Sequence, residues 1–375
     1  MSDLRNLFYK ISSGAEHRFD DFMIRFRQRM GWDMNIQICP YITFGNHQEL
    51  YVKGRVLHDY EILSSHDDAI WDNLLNMYKR FNSHEIKGAR LQVSYHDQIK
   101  EVLTDEDGYF GDSIAFPKSA DIHSIWHFPK LELLESAVNF TPPVEVLAKV
   151  VVPPASAKFG VISDIDDTIL KTNATSILKT AMYTFTGNAH SRLSFPGVSS
   201  FYRALNSGAS GNEQNPFFYI SSSPWNLYDL LTDFIEVNSM PAGPVFLKDY
   251  GFSHDKIISD SHDLHKLKKI KKVLDAFPEM NFILIGDSGQ RDAEIYAKAA
   301  GQFPGRILAI YLRDVGHAEK SVNTKSIYEK SDLKMRLSDD TLELARHAAD
   351  YGFIASEAID MIIADIEQSK RESMQ

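Results

Sequence analysis

In Phe159-Gly160-Val161-Ile162-Ser163-Asp164-Ile165-Asp166-Asp167-Thr168 a short apolar run ends abruptly in acid. The first half suits a buried strand. The second half crowds three carboxylates and a hydroxyl at that strand's end. Buried charge is costly unless it is paired, hydrogen-bonded or metal-bound. Such dense anionic oxygen points to a hard cation with oxygen ligands, and Mg²⁺ suits that donor set. The bland alternative, an acidic turn after a strand, loses weight as other polar segments join this one.

From Lys158 onward, short apolar runs alternate with helical patterns. After the first, the runs are Phe217-Phe218-Tyr219-Ile220, Pro244-Val245-Phe246-Leu247, Phe282-Ile283-Leu284-Ile285 and Ile307 to Leu312. Strands that are apolar on both faces and separated by helices imply a parallel sheet covered on both sides. Ligands of such sheets bind beyond the carboxyl ends of the strands, and polar residues of interest fall at those ends. Ser221-Ser222-Ser223-Pro224-Trp225-Asn226 follows the second run and reads as the opening of a helix. Hydroxyls and backbone N–H groups there would suit a phosphate, although the serines equally suit a plain N-cap.

Lys266 stands out from a lysine-rich helix. At about 100° per residue, Leu267, Ile270, Val273, Leu274 and Phe277 share one arc, while Lys268, Lys269, Lys271 and Lys272 fall outside it or on its rim. Lys266 falls inside the arc, so it should face inward, where an ammonium needs an anionic partner. The fourth segment is Gly286-Asp287-Ser288-Gly289-Gln290-Arg291-Asp292. Asp287 at a strand end, between glycines that allow close approach, fits a metal ligand. Asp292 would begin the next helix, either as a charge matched to the dipole or in support of the site.

The chain has 375 residues, 43% of them hydrophobic and 24% charged, which describes a soluble globular protein with room for two domains. A formal charge of −11 argues against nonspecific nucleic-acid binding. An acidic enzyme can still act on phosphates if a metal and local cations reverse the field inside its site. The single cysteine, Cys39, forms no internal disulfide. No signal-peptide layout and no apolar run near the ~18 residues of a bilayer span is evident. These features lead us to expect a cytoplasmic protein, with peripheral membrane contact left open and no prediction of oligomeric state.

The expected organisation is a helical segment over 1–34, a β-rich domain with one helix over 35–152, a catalytic α/β domain over 153–318 and a helical extension over 319–375. In the first helix Phe19, Phe22, Met23, Phe26 and Met30 share a face beside Arg25, Arg27 and Arg29. Such a helix packs on its own protein or lies on an anionic membrane. The β-rich region reads as a small sandwich, with alternation in Ile36-Gln37-Ile38 and Leu91 to Tyr95 and a turn at Asp105-Glu106-Asp107-Gly108. Its one helix carries Ile70, Leu74, Met77, Tyr78 and Phe81. Pro142-Pro143 and Pro153-Pro154 bracket a last strand. After Asp314 the chain reads as helical, with Leu342, Ala345, Ala349 and Phe353 as a packing face. His254, His262 and His265 lack a third ligand at zinc spacing.

The four segments, in this order, resemble the haloacid-dehalogenase-like (HAD-like) phosphotransferase superfamily, and more narrowly the actin-patch-type phosphatidate phosphatase catalytic domain. The stretches that carry the narrower resemblance are 159–168, 219–227 and 284–290; Asp167, where the superfamily usually has glycine, fits the narrower branch. The resemblance implies an α/β, HAD-like Rossmannoid sheet, Mg²⁺ as cofactor and a phosphorylated, lipid-like substrate. It implies that Asp164 is the nucleophile and Asp166 the general acid and base. Mg²⁺ would be held by Asp164, Asp287 and the backbone carbonyl of Asp166. Ser221, Ser222 and Lys266 would bind the phosphoryl group, with Asp167, Thr168 and Asp292 supporting. About 48 residues separate Thr168 from Phe217, including Phe195-Pro196-Gly197 and Gly208-Ala209-Ser210-Gly211. That is too few for a substantial cap, so an open site is expected, suited to bulky or membrane-held substrates. Tyr183, Phe185 and Trp225 are candidates to meet acyl chains or to pack in the core. The alternatives are the same catalysis on a soluble or polymer-end phosphomonoester, or a non-enzymatic scaffold.

Overall fold

The computed structural model describes residues 36–58, 85–166, 168–169, 194–248, 262–289, 291–316 and 334–373. The helices expected over 1–32 and 70–81, and the residues Asp167, Tyr183, Phe185, His254 and Gln290, lie outside them. Ten strands come first: β1 (Ile36–Pro40), β2 (Thr43–Phe44), β3 (Glu49–His58), β4 (Arg90–Tyr95), β5 (Gln98–Leu103), β6 (Tyr109–Ala115), β7 (Trp126–His127), β8 (Lys130–Glu135), β9 (Glu145–Leu147) and β10 (Val150–Val151). Period-two alternation in β3 and β4 buries Leu50, Val52 and Val56, and Leu91 and Val93. Two antiparallel sheets, ordered β1-β3-β6 and β5-β4-β8-β9, close over one shared core. This is the expected sandwich. The Asp105–Gly108 turn is also present, with the Asp105 carboxylate accepting from the N–H groups of Asp107 at 3.0 Å and Tyr109 at 2.8 Å. Gly108 has φ 73°, a left-handed conformation that favours glycine. The segment between the two proline pairs differs from expectation. It forms two short strands in separate sheets, with β10 running parallel to β2 and antiparallel to β7.

The second unit contains β11 (Gly160–Asp164), α1 (Val198–Ser207), β12 (Phe217–Pro224), a 3₁₀ turn (Trp225–Leu227), α2 (Tyr228–Val237), β13 (Val245–Lys248), α3 (His262–Ala276), β14 (Phe282–Asp287), α4 (Asp292–Gln302), β15 (Ile307–Arg313), β16 (Met335–Ser338), α5 (Thr341–Asp350) and α6 (Ala358–Ser373). Its six strands are all parallel, in the order β13-β12-β11-β14-β15-β16. All five apolar runs are strands. Alternate residues feed opposite faces: Val161, Tyr219 and Ile283 pack with α1, α2, α5 and α6, whereas Ile162, Phe218 and Leu284 pack with α3 and α4. Strand order reverses between β11 and β14, and a doubly wound sheet binds its ligands beyond the carboxyl ends at that point. Asp164 ends β11 and Asp287 ends β14.

Two sequence expectations are corrected. Ser221 to Pro224 do not open a helix but extend β12, past an irregularity in its pairing with β13. α2 begins only at Tyr228, and no side chain caps it. The stretch after Asp314 is not purely helical either. Met335–Ser338 adds β16, a strand too short and too polar to stand out as an apolar run.

The sandwich seats against the parallel sheet through aromatic contacts. The Phe44 ring lies 5.7 to 6.0 Å from those of Phe218, Phe246 and Phe277. Tyr41 lies 4.8 Å from Trp225, and the Ile42 N–H donates to the Tyr228 hydroxyl at 2.7 Å. Lys53 sets its ammonium 4.5 Å from the Trp225 ring.

In β7 His127 is buried, donating from Nε2 to the Ser124 carbonyl at 3.1 Å and facing the Tyr95 hydroxyl with Nδ1. Burial pushes its pKa below the usual histidine range, against the upward pull of the Ser124 hydrogen bond and the Asp121 carboxylate. A group with a depressed folded pKa stabilises the fold above its unfolded value, about 6.5 for histidine, and that contribution is lost on acidification through the folded value. The urea midpoint should therefore fall more between pH 7 and pH 5 in the wild type than in His127→Gln. Equal falls in both proteins would remove His127 from this account.

Candidate active site

Asp164 completes a strand whose residues are all buried, and is itself 1% exposed. The chain then turns at once, with the N–H groups of Thr168 and Ile169 both reaching the Ile165 carbonyl, at 3.4 and 3.1 Å. That turn returns Thr168 beneath Asp164, whose Oδ2 accepts the Thr168 hydroxyl at 3.2 Å. Oδ1 lies 2.8 Å from the Lys266 ammonium. The two carboxylate oxygens thus have different partners, and the side chain cannot rotate freely.

Lys266 faces inward as its place on the arc predicts, although α3 starts four residues earlier, at His262. It is 1% exposed and bridges Asp164 and Asp292. Burial alone would lower its pKa, but the two carboxylates outweigh burial and hold it above the ordinary lysine range. Asp164 is pushed well above the carboxylate range. Burial is the main cause, and Asp292, Asp166 and Asp287 add to it against the pull of Lys266.

Asp287 and Asp292 are both fully buried. Asp292 is the first residue of α4, where the helix dipole favours an anion. Its Oδ2 accepts the Asp287 N–H at 3.2 Å and its Oδ1 accepts from Lys266. Gly286 makes this approach possible: a Cβ there would lie 2.3 Å from Asp292 Oδ2 and 2.9 Å from the Tyr296 ring. Oxygens of Asp164, Asp287 and Asp292 lie within 4.8 Å of one another. Asp292, expected only as support, therefore belongs to the central cluster. Among the described residues, this is where side chains gather at metal-binding spacing, and His265 is not part of it.

Asp166 is half-buried and accepts the Ser221 hydroxyl at 2.7 Å. The buried Ser221 Oγ in turn accepts the Ser223 N–H at 2.9 Å. Ser222, between them, is half-buried. One residue of the site escaped sequence reasoning. Arg313, at the end of β15, is 4% exposed and donates to the Thr168 carbonyl at 3.2 Å. It breaks the Ile307–Leu312 run just as Asp164 and Asp287 break theirs, and asking for any charge at a strand end, rather than an acid, would have found it.

Buried carboxylates around one lysine, at the reversal point of a doubly wound sheet, define an α/β protein whose strand-end site handles charged oxygen. Residues 159–314 match the family described as phosphatidate phosphatase APP1, catalytic domain. Phosphatidate phosphatase APP1 of Saccharomyces cerevisiae is 32% identical over 262 residues, covering 65% of this chain and 44% of the yeast protein. An uncharacterized protein of Schizosaccharomyces pombe is 30% identical over 157 residues, covering 42% of this chain and 25% of its own length. The chain thus matches less than half the length of these curated relatives. A carbohydrate acetylesterase structure from Xanthomonas citri covers 85% of this chain and 75% of its own at 11% identity, but its TM-score of 0.28 carries no structural argument.

The Gly286 contacts give a direct test. Gly286→Ala should cost about 1–3 kcal/mol in urea unfolding, as overpacking does elsewhere. The loss should shrink in Gly286→Ala/Asp292→Ala, where the clashing carboxylate is gone. An undiminished loss in the double variant would mean that Asp292 is not what the methyl meets.

Proposed function

We propose that this chain is a Mg²⁺-dependent phosphatase with a HAD-like catalytic domain that hydrolyses a phosphomonoester, with phosphatidate or a related lipid phosphate as the substrate class. The observation that carries the reading is the placement of Asp164, held by Lys266 on one oxygen and by Thr168 on the other, beside the Asp166–Ser221 pair. In this reading an Asp164 oxygen attacks phosphorus, and the bond to the alkoxide breaks as an aspartyl phosphate forms. Asp166 gives its proton to the departing alkoxide. It then takes a proton from a water that attacks phosphorus, which breaks the bond to Asp164, releases inorganic phosphate and returns Asp164 as the carboxylate and Asp166 as the protonated acid. Splitting one hard hydrolysis into two displacements is the advantage of a covalent intermediate, and the half-buried Asp166 suits proton exchange.

The donor set fits Mg²⁺: it is all oxygen, and a dication would offset both the burial that mainly raises Asp164 and the neighbouring carboxylates that add to it. Asp164, Asp287 and the Asp166 carbonyl would hold the ion, with Asp292 fixing Lys266 and the Asp287 N–H alongside. When bound, it supplies charge that lets an anionic nucleophile approach an anionic phosphate. Lys266, Ser221 and Ser222 would bind phosphoryl oxygens, and Asp167 would support the loop.

The family match and the name of the yeast relative support a phosphatidate-like substrate. So does chain length: of the residues between Thr168 and Phe217, Val198–Ser207 form α1, whose Val198, Phe201, Tyr202 and Leu205 pack in the core, which leaves little for a cap. No helix among the described residues is long and apolar enough to cross a membrane.

Asp164→Asn should abolish turnover, by at least about 10³-fold in kcat, without lowering the urea midpoint at neutral pH. The sign follows from linkage. A carboxylate whose folded pKa is raised stabilises the fold only at low pH, and its charge opposes folding once pH exceeds the folded value. Substantial residual turnover would reject the nucleophile.

Chelation by EDTA should silence phosphate release and Mg²⁺ restore it; full activity in metal-free buffer would sink the metal reading. Phosphatidate in detergent micelles should be turned over faster than a panel of soluble phosphomonoesters. The reverse preference would keep the catalysis and discard the lipid.

A further inference from the structure

Arg313 is a buried cation whose hydrogen bonds among the described residues go to neutral acceptors, with the Asp339 and Asp340 carboxylates favouring its charge from nearby. Its Nε donates to the Thr168 carbonyl at 3.2 Å, Nη1 to the Asp339 carbonyl at 3.0 Å and Nη2 to the Thr341 hydroxyl at 2.9 Å. Its guanidinium carbon lies 4.1 Å from the centroid of the Phe195 ring. Thr341 passes the contact on, donating its hydroxyl to the Pro196 carbonyl at 2.8 Å. Burial lowers the Arg313 pKa to about 10, so it stays charged at neutral pH. Burying a charge against neutral acceptors is costly, and a neutral side chain would fill this space more cheaply.

What the charge supplies is a strong, directed hydrogen bond to a backbone carbonyl. That carbonyl belongs to the residue whose hydroxyl fixes Asp164 Oδ2. Only a planar fork can meet three acceptors in two segments while lying over a ring in a third, which lysine cannot do.

We propose that Arg313 is a positioning residue for the reaction, clamping the Thr168 backbone so that the Thr168 hydroxyl holds Asp164 in the orientation from which it attacks. The clamp also ties the catalytic loop to the Phe195–Pro196 segment and to the start of α5. This inference rests on Asp164 being the nucleophile, and it adds a residue from outside the carboxylate cluster.

A double-mutant cycle in kcat tests it. Arg313→Lys should lower kcat about 10- to 100-fold with KM within about twofold. In a Thr168→Ala background the same change should lower kcat by less than about twofold, because the hydroxyl through which it acts is gone. Additive losses would overturn the proposal, as would a loss confined to KM or an unchanged kcat. If Arg313→Lys does not fold, Thr341→Val removes one acceptor more gently and should show a smaller kcat loss with the same non-additivity.

Amide exchange at Thr168 and Ile169 reads the clamp without turnover. Exchange should be at least about tenfold faster in the Arg313→Lys or Thr341→Val protein, since local opening sets these rates, and unchanged rates would overturn the clamp. A wild type that releases no phosphate, with exchange that still responds, would discard the phosphatase reading and leave the clamp standing.

Discussion

One ammonium, Lys266, sits buried between Asp164 and Asp292, and the local architecture is arranged around it. Buried ion pairs contribute little net stability, because desolvation offsets attraction. Here the balance is worse still, since Asp287 adds a third buried carboxylate to the same few ångströms. Such a cluster is held in place by everything else that folds. The apolar arc of α3 carries Ile270, Val273 and Leu274 into the core and takes Lys266 with it. α4 begins at Asp292, and Gly286 leaves it room. The fold supplies the stability and the cluster uses it.

The sheet does the gathering. Asp164, Asp287 and Arg313 end β11, β14 and β15, and Ser221 lies in the last half of β12, so all four stand toward the carboxyl side of four neighbouring strands. Pairing sets them nearly level: Asp164 is opposite Ile220, and Asp287 is opposite Arg313. With strands about 4.8 Å apart, residues far apart in sequence fall into one row without any long loop having to place them. The sandwich bears on one end of that row. Tyr41 and Lys53 pack on Trp225, four residues past Ser221, so the first unit helps to fix the loop that follows the serines.

Much of this was legible in the sequence, for a physical reason. Strands covered on both faces must be apolar throughout, so a charge ending such a run has nowhere to go but the strand's end, and Asp164 and Asp287 declared themselves that way. Lys266 was legible because helical periodicity separates an inward lysine from its outward neighbours. The misreadings have equally plain causes. Ser-Ser-Ser-Pro has the composition of a helix start, and composition does not record that β12 pairs with β13 as far as Pro224. Met335–Ser338 becomes a strand through pairing with β15, not through its own propensity. The place of Asp292 depends on the missing Cβ of Gly286, a tertiary contact that spacing does not reveal. The seating of Phe44 among Phe218, Phe246 and Phe277 is likewise a long-range event.

Two carboxylates two residues apart have opposite surroundings, and the division of labour in the proposed reaction follows from that contrast. Between them Ile165 is fully buried and anchors the turn through its carbonyl. Asp164 lies inside with an ammonium on one oxygen and a hydroxyl on the other, a setting that orients a nucleophile but denies it easy exchange with water. Asp166 lies half outside and accepts the Ser221 hydroxyl on Oδ2, a setting within reach of solvent that suits proton exchange in the proposed reaction. Exchanging the two roles would ask the buried group to shuttle protons and the half-buried one to hold an attacking geometry. The packing around Ile165, which buries Asp164 and leaves Asp166 near the surface, is what supports the proposed assignment.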